Sequence, residues 1–362
     1  MKHDRVTGLS VPSGLTAKVL LLAVLFGAVT PGPIMAQGKK VRWKMASSFA
    51  ASLPILGSAG VYFTERVKTV TDGRIQIKFF DPGKLVPSLQ VFEAVSTGAV
   101  DAGFSGAGFW IGKIPAAPIF AAVPFGPDTN EYLAWMFERG GLKLWREIYA
   151  RHNLVPFPCA ILPPEASGWF RKEIKSLDDL KGLKMRFYGL GGKAMQKLGM
   201  SIQLLAGGDI FPALERGVLD ATEFSMPALD EKLGFYQVAK HYYFPGWHQQ
   251  SSILELIVNK AKWESISKAD QTLIEMACRD TIVKTLTEGE ALQGPALERM
   301  KNKGVKIHIW PPEFIAEFKR LSDEVIREEV AKDPDFARVW KSLSDFRKEY
   351  AEWNKLSRIK RW

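Results

Sequence analysis

The chain has 362 residues, 46% of them hydrophobic, with 11 Trp, two Cys and a formal charge of +10. That length excludes a single ordinary core and suits about two domains of 100 to 200 residues. Part of the basic excess gathers at the two ends, where it reads as solvated tails with no more than a weak attraction to an acidic surface.

Residues 1–36 read as an export signal. Lys2, Arg5 and Lys18 precede an apolar or Gly run over 19–29, then Pro31, Gly32, Pro33 and a small residue at Ala36. The run is too short for a permanent membrane span, so a secretory signal peptide cleaved after Ala36 is expected. No Cys follows it, and a lipid-anchored form is not expected. Cleavage removes Lys2, Arg5 and Lys18 against Asp4, leaving +8, with Lys39, Lys40, Arg42 and Lys44 at one end and Lys355, Arg358, Lys360 and Arg361 at the other. No later stretch stays apolar for about 18 residues, so the mature chain reads as soluble and exported. Cys159 and Cys278 are read as buried free thiols, in a compartment that permits a disulfide without indicating one.

The mature chain opens with strand-like VRWKMASS from Val41, a Ser-bearing loop and a one-faced apolar helix over 56–70. Thr71, Asp72 and Gly73 signal a turn into the alternating strand 74–79. Strand, helix, strand in this order builds a parallel sheet with a right-handed crossover. Next comes FEAVSTGAVDA at 92–102, which returns as FPALERGVLDA at 211–221 with Phe, Ala, Gly, Asp and Ala at the same offsets. Each copy reads as a helix stopped by Gly at its left-handed C′ position and followed by a strand, so two similar lobes are expected. The copies differ just past the shared Asp-Ala, with Gly103 and Phe104 in one and Thr222 and Glu223 in the other. Phe109 and Trp110 follow the first copy at a strand's C-terminal end, where ligands gather in open parallel sheets; with alternate directions, one is expected on the cleft and one in the core.

Asp128 is expected to cap one helix running to Ala150. The chain then passes through 154–170 into a second lobe holding a strand at 184–187, a helix at 192–198, a strand at 201–204 and the second repeat copy. A long strand over 247–258 carries Glu255 and crosses back, giving two antiparallel connecting strands as a hinge. Beyond Ser265 the chain reads as helical over 267–303 with a possible break at 289–295, then a strand at 305–309 and helices over 312–332 and 336–353. On the last helix Phe346, Tyr350 and Trp353 form one stripe that must bury against its own subunit or a partner.

Strong catalytic motifs are missing. Tyr188-Gly-Leu-Gly-Gly192 opens a helix after a strand, the setting of a dinucleotide fingerprint, but Asp209 reads as the N-cap of the repeat helix and not as a ribose ligand. His241 and His248 lack a Glu or Cys at zinc spacing, and no Gly-x-Ser-x-Gly elbow occurs. Three charges at strand ends stand out instead. Arg186 can hold a carboxylate through two parallel hydrogen bonds. Glu165 and Glu223, aimed into one cleft, would raise a proton affinity or demand a cation between them, sodium or calcium before zinc.

Gly-Trp-Phe at 168–170, KSLDDLKGLKMR at 175–186, GLGG at 189–192, GGDIFPAL at 207–214, GVLDATE at 217–223 and YYFPGWH at 242–248 resemble, in order along the mature chain, the substrate-binding subunits of tripartite ATP-independent periplasmic (TRAP) transporters, most closely the branch for 2-oxo acids and lactate. The resemblance implies an α/β, two-lobed periplasmic binding protein, type II-like, with hinge strands and long C-terminal helices. Lobe I takes 39–162 plus about 253–312, lobe II 163–252, and 313–362 forms C-terminal helices packed on the lobes or on a dimer partner. It implies a periplasmic protein, not an enzyme, that closes on a small organic acid and delivers it to membrane subunits, with no organic cofactor. Arg186 matches the carboxylate-binding arginine; Glu165, Phe109, Trp110, Phe224 and Glu255 are candidate substrate contacts, and Glu165, Glu223 and Phe224 candidate ligands of a bridging calcium or sodium ion. This chain has Glu165 where the branch usually carries Gln, Phe224 for Trp, and Phe109 where a Tyr-Trp pair is common, and two glutamates favour calcium over sodium. The rival readings are a periplasmic cofactor-binding oxidoreductase and a ligand sensor for a signalling receptor.

Overall fold

The computed structural model describes residues 40–358. The expected signal peptide, with Lys39, Lys360 and Arg361, lies outside the described residues. Among these, no helix is long and apolar enough to cross a membrane.

In chain order the elements are β1 (Val41–Ser47), α1 (Leu56–Val70), β2 (Ile75–Phe80), α2 (Val91–Ser96), β3 (Ala102–Ser105), α3 (Thr129–Glu138), α4 (Gly141–Ala150), β4 (Leu154–Leu162), β5 (Gly168–Phe170), β6 (Lys184–Arg186), α5 (Gly189–Lys197), β7 (Ser201–Gln203), α6 (Gly207–Glu215), β8 (Ala221–Thr222), α7 (Pro227–Leu233), β9 (His241–Phe244), β10 (Ser252–Asn259), α8 (Lys260–Glu264), α9 (Lys268–Asn302), β11 (Lys306–Ile309), α10 (Pro312–Lys332) and α11 (Pro334–Ser357). They build two sheets, ordered β2-β1-β3-β10-β4 and β11-β9-β5-β8-β6-β7. Four strands of each follow one plan: β1 lies parallel between β2 and β3, and β6 parallel between β7 and β8. An antiparallel strand then flanks each, β10 on β3 and β5 on β8. The repeat read from sequence is the helix-to-strand entry of these two units, and both stop glycines hold left-handed backbone, Gly98 at φ 78° and Gly217 at φ 71°.

Two strands link the halves. β4 and β10 pair antiparallel along their whole length in the first sheet, and the chain leaves one and re-enters the other through 163–167 and 245–251. β11 belongs to the second sheet through parallel pairing with β9, whereas the sequence reading kept residues to 312 with the first lobe.

Four local expectations are corrected. The helix after Asp128 breaks at Gly140 into α3 and α4, although Asp128 does cap it by accepting from the Glu131 amide. α9 runs unbroken for 35 residues with Pro295 inside it, because its packing on β4, α1 and α7 outweighs the lost hydrogen bond. Of the expected strand 247–258 only 252–258 is extended, in a strand that runs on to Asn259, the rest being loop. Cys159 of β4 and Cys278 of α9 are joined in a disulfide, so they are not free thiols.

The C-terminal helix settles on its own chain along Phe336, Val339, Leu343 and Phe346, all buried against α3, α4 and α10. Arg347 pins it by pairing with Glu131 and donating to the carbonyls of Phe125 and Gly126. The stripe read from sequence therefore divides: Phe346 is buried, Tyr350 half-buried, and Trp353 and Leu356 stand 64% and 77% exposed.

Candidate functional site

The parallel strands β1, β3, β6 and β8 all run toward the gap between the sheets, so residues at their C-terminal ends meet there. Arg186 ends β6 and is 1% exposed. Its Nε donates to the Leu205 carbonyl at 3.1 Å, and its Nη1 donates to the Glu223 backbone carbonyl and to Glu223 Oε1, each at 2.9 Å. Nη2 has no hydrogen-bond partner among the described residues, and the residue lines a small inner cavity of about 40 Å³. The Phe224 ring lies 5.3 Å from the guanidinium carbon, within cation–π range.

Glu223 follows β8 and is wholly buried. Its Oε1 also accepts from the Tyr188 amide at 2.5 Å, while Oε2 has no hydrogen bond and stands 3.5 Å from His248 Nε2. Burial pushes its carboxyl up, but Arg186, His248 and the Tyr188 amide together more than offset this and hold it below the usual range. Glu165 lies in the 163–167 crossing, 4% exposed, with Oε1 accepting from Ser225 Oγ at 3.3 Å and Oε2 unpartnered. Burial, then the charges of Glu223 and Asp230, drive its pKa well above the carboxylate range. Asp230 is pushed up to about 7 by burial, although the Trp169 indole and Tyr242 hydroxyl both donate to it.

Free ligand atoms of Glu165, Glu223 and His248 lie within 4.8 Å of one another. Two buried carboxylate oxygens without partners in one spot are a donor set that a hard cation satisfies, so the residues fit calcium or sodium. Without a cation, two carboxylates face one guanidinium, and protonation of Glu165 restores the balance.

Phe109 lines the inner cavity and meets Tyr188 edge to face at 4.9 Å. Trp110 turns away, donating from its indole to Glu255 Oε1 at 2.5 Å. Glu255 is buried behind the cavity and pushed up to about 7 by burial, against the effect of Trp110 and the nearby Tyr149. Trp110 and Glu255 are thus brought to each other and not to the cavity wall, while Arg186, Glu165, Phe109 and Phe224 do line it. Asp209 is corrected as well: Ala206 is the N-cap of α6, and Asp209 sits in its first turn.

Sequence reasoning missed Phe49, Tyr188, His248 and Gln249. Tyr188 reaches from the second sheet to accept from the Gly108 amide at 2.8 Å. A Cβ on Gly108 or Gly106 would come within 2.4 or 2.7 Å of that side chain, so the Gly-Ala-Gly run is the imprint of a partner 80 residues away. The glycine turn at 189–192 has a packing role too: a Cβ on Gly191 would strike the Phe187 ring and His248.

Compared with known proteins, residues 45–333 match the family described as bacterial extracellular solute-binding protein, family 7. The chain is 38% identical over 320 residues to a monocarboxylate 2-oxoacid-binding periplasmic protein of Nostoc, covering 88% of this chain and 87% of that one. It superposes with a TM-score of 0.86 and 36% identity on a TRAP transporter solute-binding protein from Bordetella bronchiseptica, a mixed-occupancy dimer with calcium and picolinate in one site and the other site apo, covering 88% and 95% of the two chains. A TRAP periplasmic solute-binding protein from Pseudoalteromonas atlantica, with bound sodium and pyruvate, gives 0.84 and 31%, covering 88% and 97%.

Proposed function

This chain belongs to family 7 of the bacterial extracellular solute-binding proteins, and we propose that it captures a small organic monocarboxylate in the periplasm and hands it to the membrane subunits of a TRAP transporter. The observation that carries the substrate class is the buried Arg186. Nε and Nη1 are committed to the protein, and Nη2 remains for a carboxylate entering the inner cavity. The solute-binding family and its relatives are not enzymes, and nothing at the glycine turn favours a cofactor.

Glu165 and Glu223, whose free oxygens cluster with His248, are the side chains that would hold a cation, and Phe224, next in the chain after Glu223, is the further ligand the sequence suggests. Bound there, a calcium or sodium ion supplies positive charge facing the substrate's oxygens. The two carboxylates favour calcium over sodium, since a divalent ion compensates both. Phe109 and Phe224 wall the apolar remainder of the substrate; Trp110 and Glu255 support that wall from behind.

The two sheets act as the two lobes, with the crossings at 163–167 and 245–251 as hinges, and closure over the acid forms the surface read by the membrane partner. The exposed Trp353 and Leu356 are covered by a second copy of the chain, a reading supported by the dimeric Bordetella neighbour. Calorimetry with pyruvate on protein with and without chelator tests the core of this reading. Micromolar binding that needs calcium is expected; tight binding that is indifferent to chelator with sodium present removes the preference for calcium over sodium, and tight binding by Arg186→Ala removes the substrate assignment.

A further inference from the structure

We propose that Phe49 and Phe224 form a length gauge that limits the substrate to monocarboxylates of three or four carbons with an apolar tail. The proposal rests on the carboxylate reading above and adds the part of the molecule that selects among acids.

Two cavities of very different size share a wall in the cleft. The inner one, about 40 Å³, holds Arg186 and Glu165 and has room for about three waters. The outer one, about 580 Å³, is lined by the loops at 48–53 and 81–90 on one side and by 206–209 and 232–233 on the other. Only Phe49 and Phe224 line both, one from each half of the protein. They are the partition.

Neither ring is free to swing aside. Phe49 is 6% exposed, and its backbone is clipped to Ser47, whose hydroxyl donates to the Phe49 carbonyl at 2.8 Å and accepts from its amide at 3.0 Å. Phe224 is 8% exposed, lies so close to the start of α6 that a Cβ on Gly207 would sit 2.8 Å from it, and meets Phe235 edge to face at 6.1 Å. A tail that reaches this wall must displace a packed aromatic ring, which is overpacking.

The chemistry of the inner lining narrows the class further. Besides Arg186 the cavity lining offers no second cationic side chain, so a distal carboxylate would be buried there unpaired and dicarboxylates are rejected. Leu56, Phe109, Leu162 and Ile253 supply apolar walls that suit a methyl or ethyl group.

The test is calorimetry with pyruvate, 2-oxobutanoate, 2-oxopentanoate, 2-oxohexanoate and 2-oxoglutarate on the wild-type protein, Phe49→Ala and Phe224→Ala, with Leu at each position as a gentler change should Ala not fold. The readout is the ratio of affinities within each variant, so a general loss of binding cancels. Expected is a fall of about tenfold or more from 2-oxobutanoate to 2-oxohexanoate in the wild type. In the Ala variants the cavities merge, and affinity instead rises by up to about fourfold per methylene. A wild type that binds 2-oxohexanoate as well as pyruvate, or variants that keep the cut-off, overturns the gauge while leaving the carboxylate reading standing. If no 2-oxo acid binds at all, the carboxylate reading fails and the gauge falls with it.

Discussion

β1 with β3, and β6 with β8, are the same piece of structure built twice, and they part company within a single residue. Met45 pairs with Ala102 in one and Met185 with Ala221 in the other. The repeated Asp does the same work in both: the Lys44 amide donates to Asp101 Oδ2 at 2.7 Å, and the Lys184 amide to Asp220 Oδ2 at 2.9 Å. Each Asp amide then donates back to the carbonyl of the same lysine. One residue further along, the first unit places Ala46 beside Gly103 and the second places Arg186 beside Thr222, followed by Phe104 and Glu223 respectively. A common frame thus delivers apolar surface to one side of the cleft and paired charge to the other. Shared positions carry the fold, and the positions immediately after them carry recognition.

The sharpest way to break that contrast is Arg186→Ala, which makes the second unit as uncharged as the first. Acid binding should fall more than about 100-fold by calorimetry, and thermal melts should show a loss of about 3–5 kcal/mol, since Glu223 would remain buried without its partner. Glu165→Gln comes next. It removes one of the two carboxylates facing the cation, and sodium should then support pyruvate binding as well as calcium does, where the wild type loses about tenfold or more in chelator with sodium present. An unchanged calcium requirement would count against the two-carboxylate argument.

A smaller effect compares the buried acids of the two halves, Glu255 and Asp230, each pushed to about 7. In the unfolded chain such carboxyls ionise near pH ~4. Between there and about 7 the folded protein keeps protons that the unfolded chain has lost, so stability falls as pH rises across that window. Asp230→Asn and Glu255→Gln should each flatten the decline in melting temperature from pH 4.5 to 7; a slope identical to wild type in both would show that neither group titrates as described. The smallest effect belongs to the frame itself. Asp101→Ala and Asp220→Ala should each cost about 1–2 kcal/mol through lost backbone hydrogen bonds and leave pyruvate affinity within about twofold.

The frame was largely readable from the chain because its signals are local. Apolar spacing located α1 and α10 with their observed ends, and Gly98 and Gly217 announced the helix stops. Arg186 and Glu223 stood out because charge at the end of an apolar strand has few other uses, whereas Glu165 lies in the crossing loop three residues past β4. What failed was non-local. In sequence, residues 247–251 join the apolar-leaning run that follows them, yet His248, Gln249 and Ser251 are buried polar residues in the loop that closes the site. Of Phe109 and Trp110, one is expected on the cleft and one in the core, but which is which depends on Glu255, the hydrogen-bond partner of Trp110, 145 residues away. Two cysteines contain no information about their distance, and only packing of α9 on β4 brings them together. Pro295 looked like a break because the tertiary contacts that hold α9 straight are invisible in sequence.

That bridge has a topological consequence. Cys159 and Cys278 close a covalent ring of chain that contains β5 through β10, and so every strand of the second sheet except β11. A protease that cuts once between the cysteines, for example in the exposed turn around Lys172, therefore produces no second molecule. The nicked protein should migrate as one species on a non-reducing gel and as two after reduction. The half that carries Arg186 and Glu223 is tethered to its neighbour at both ends, and a single break in a crossing strand cannot set it adrift.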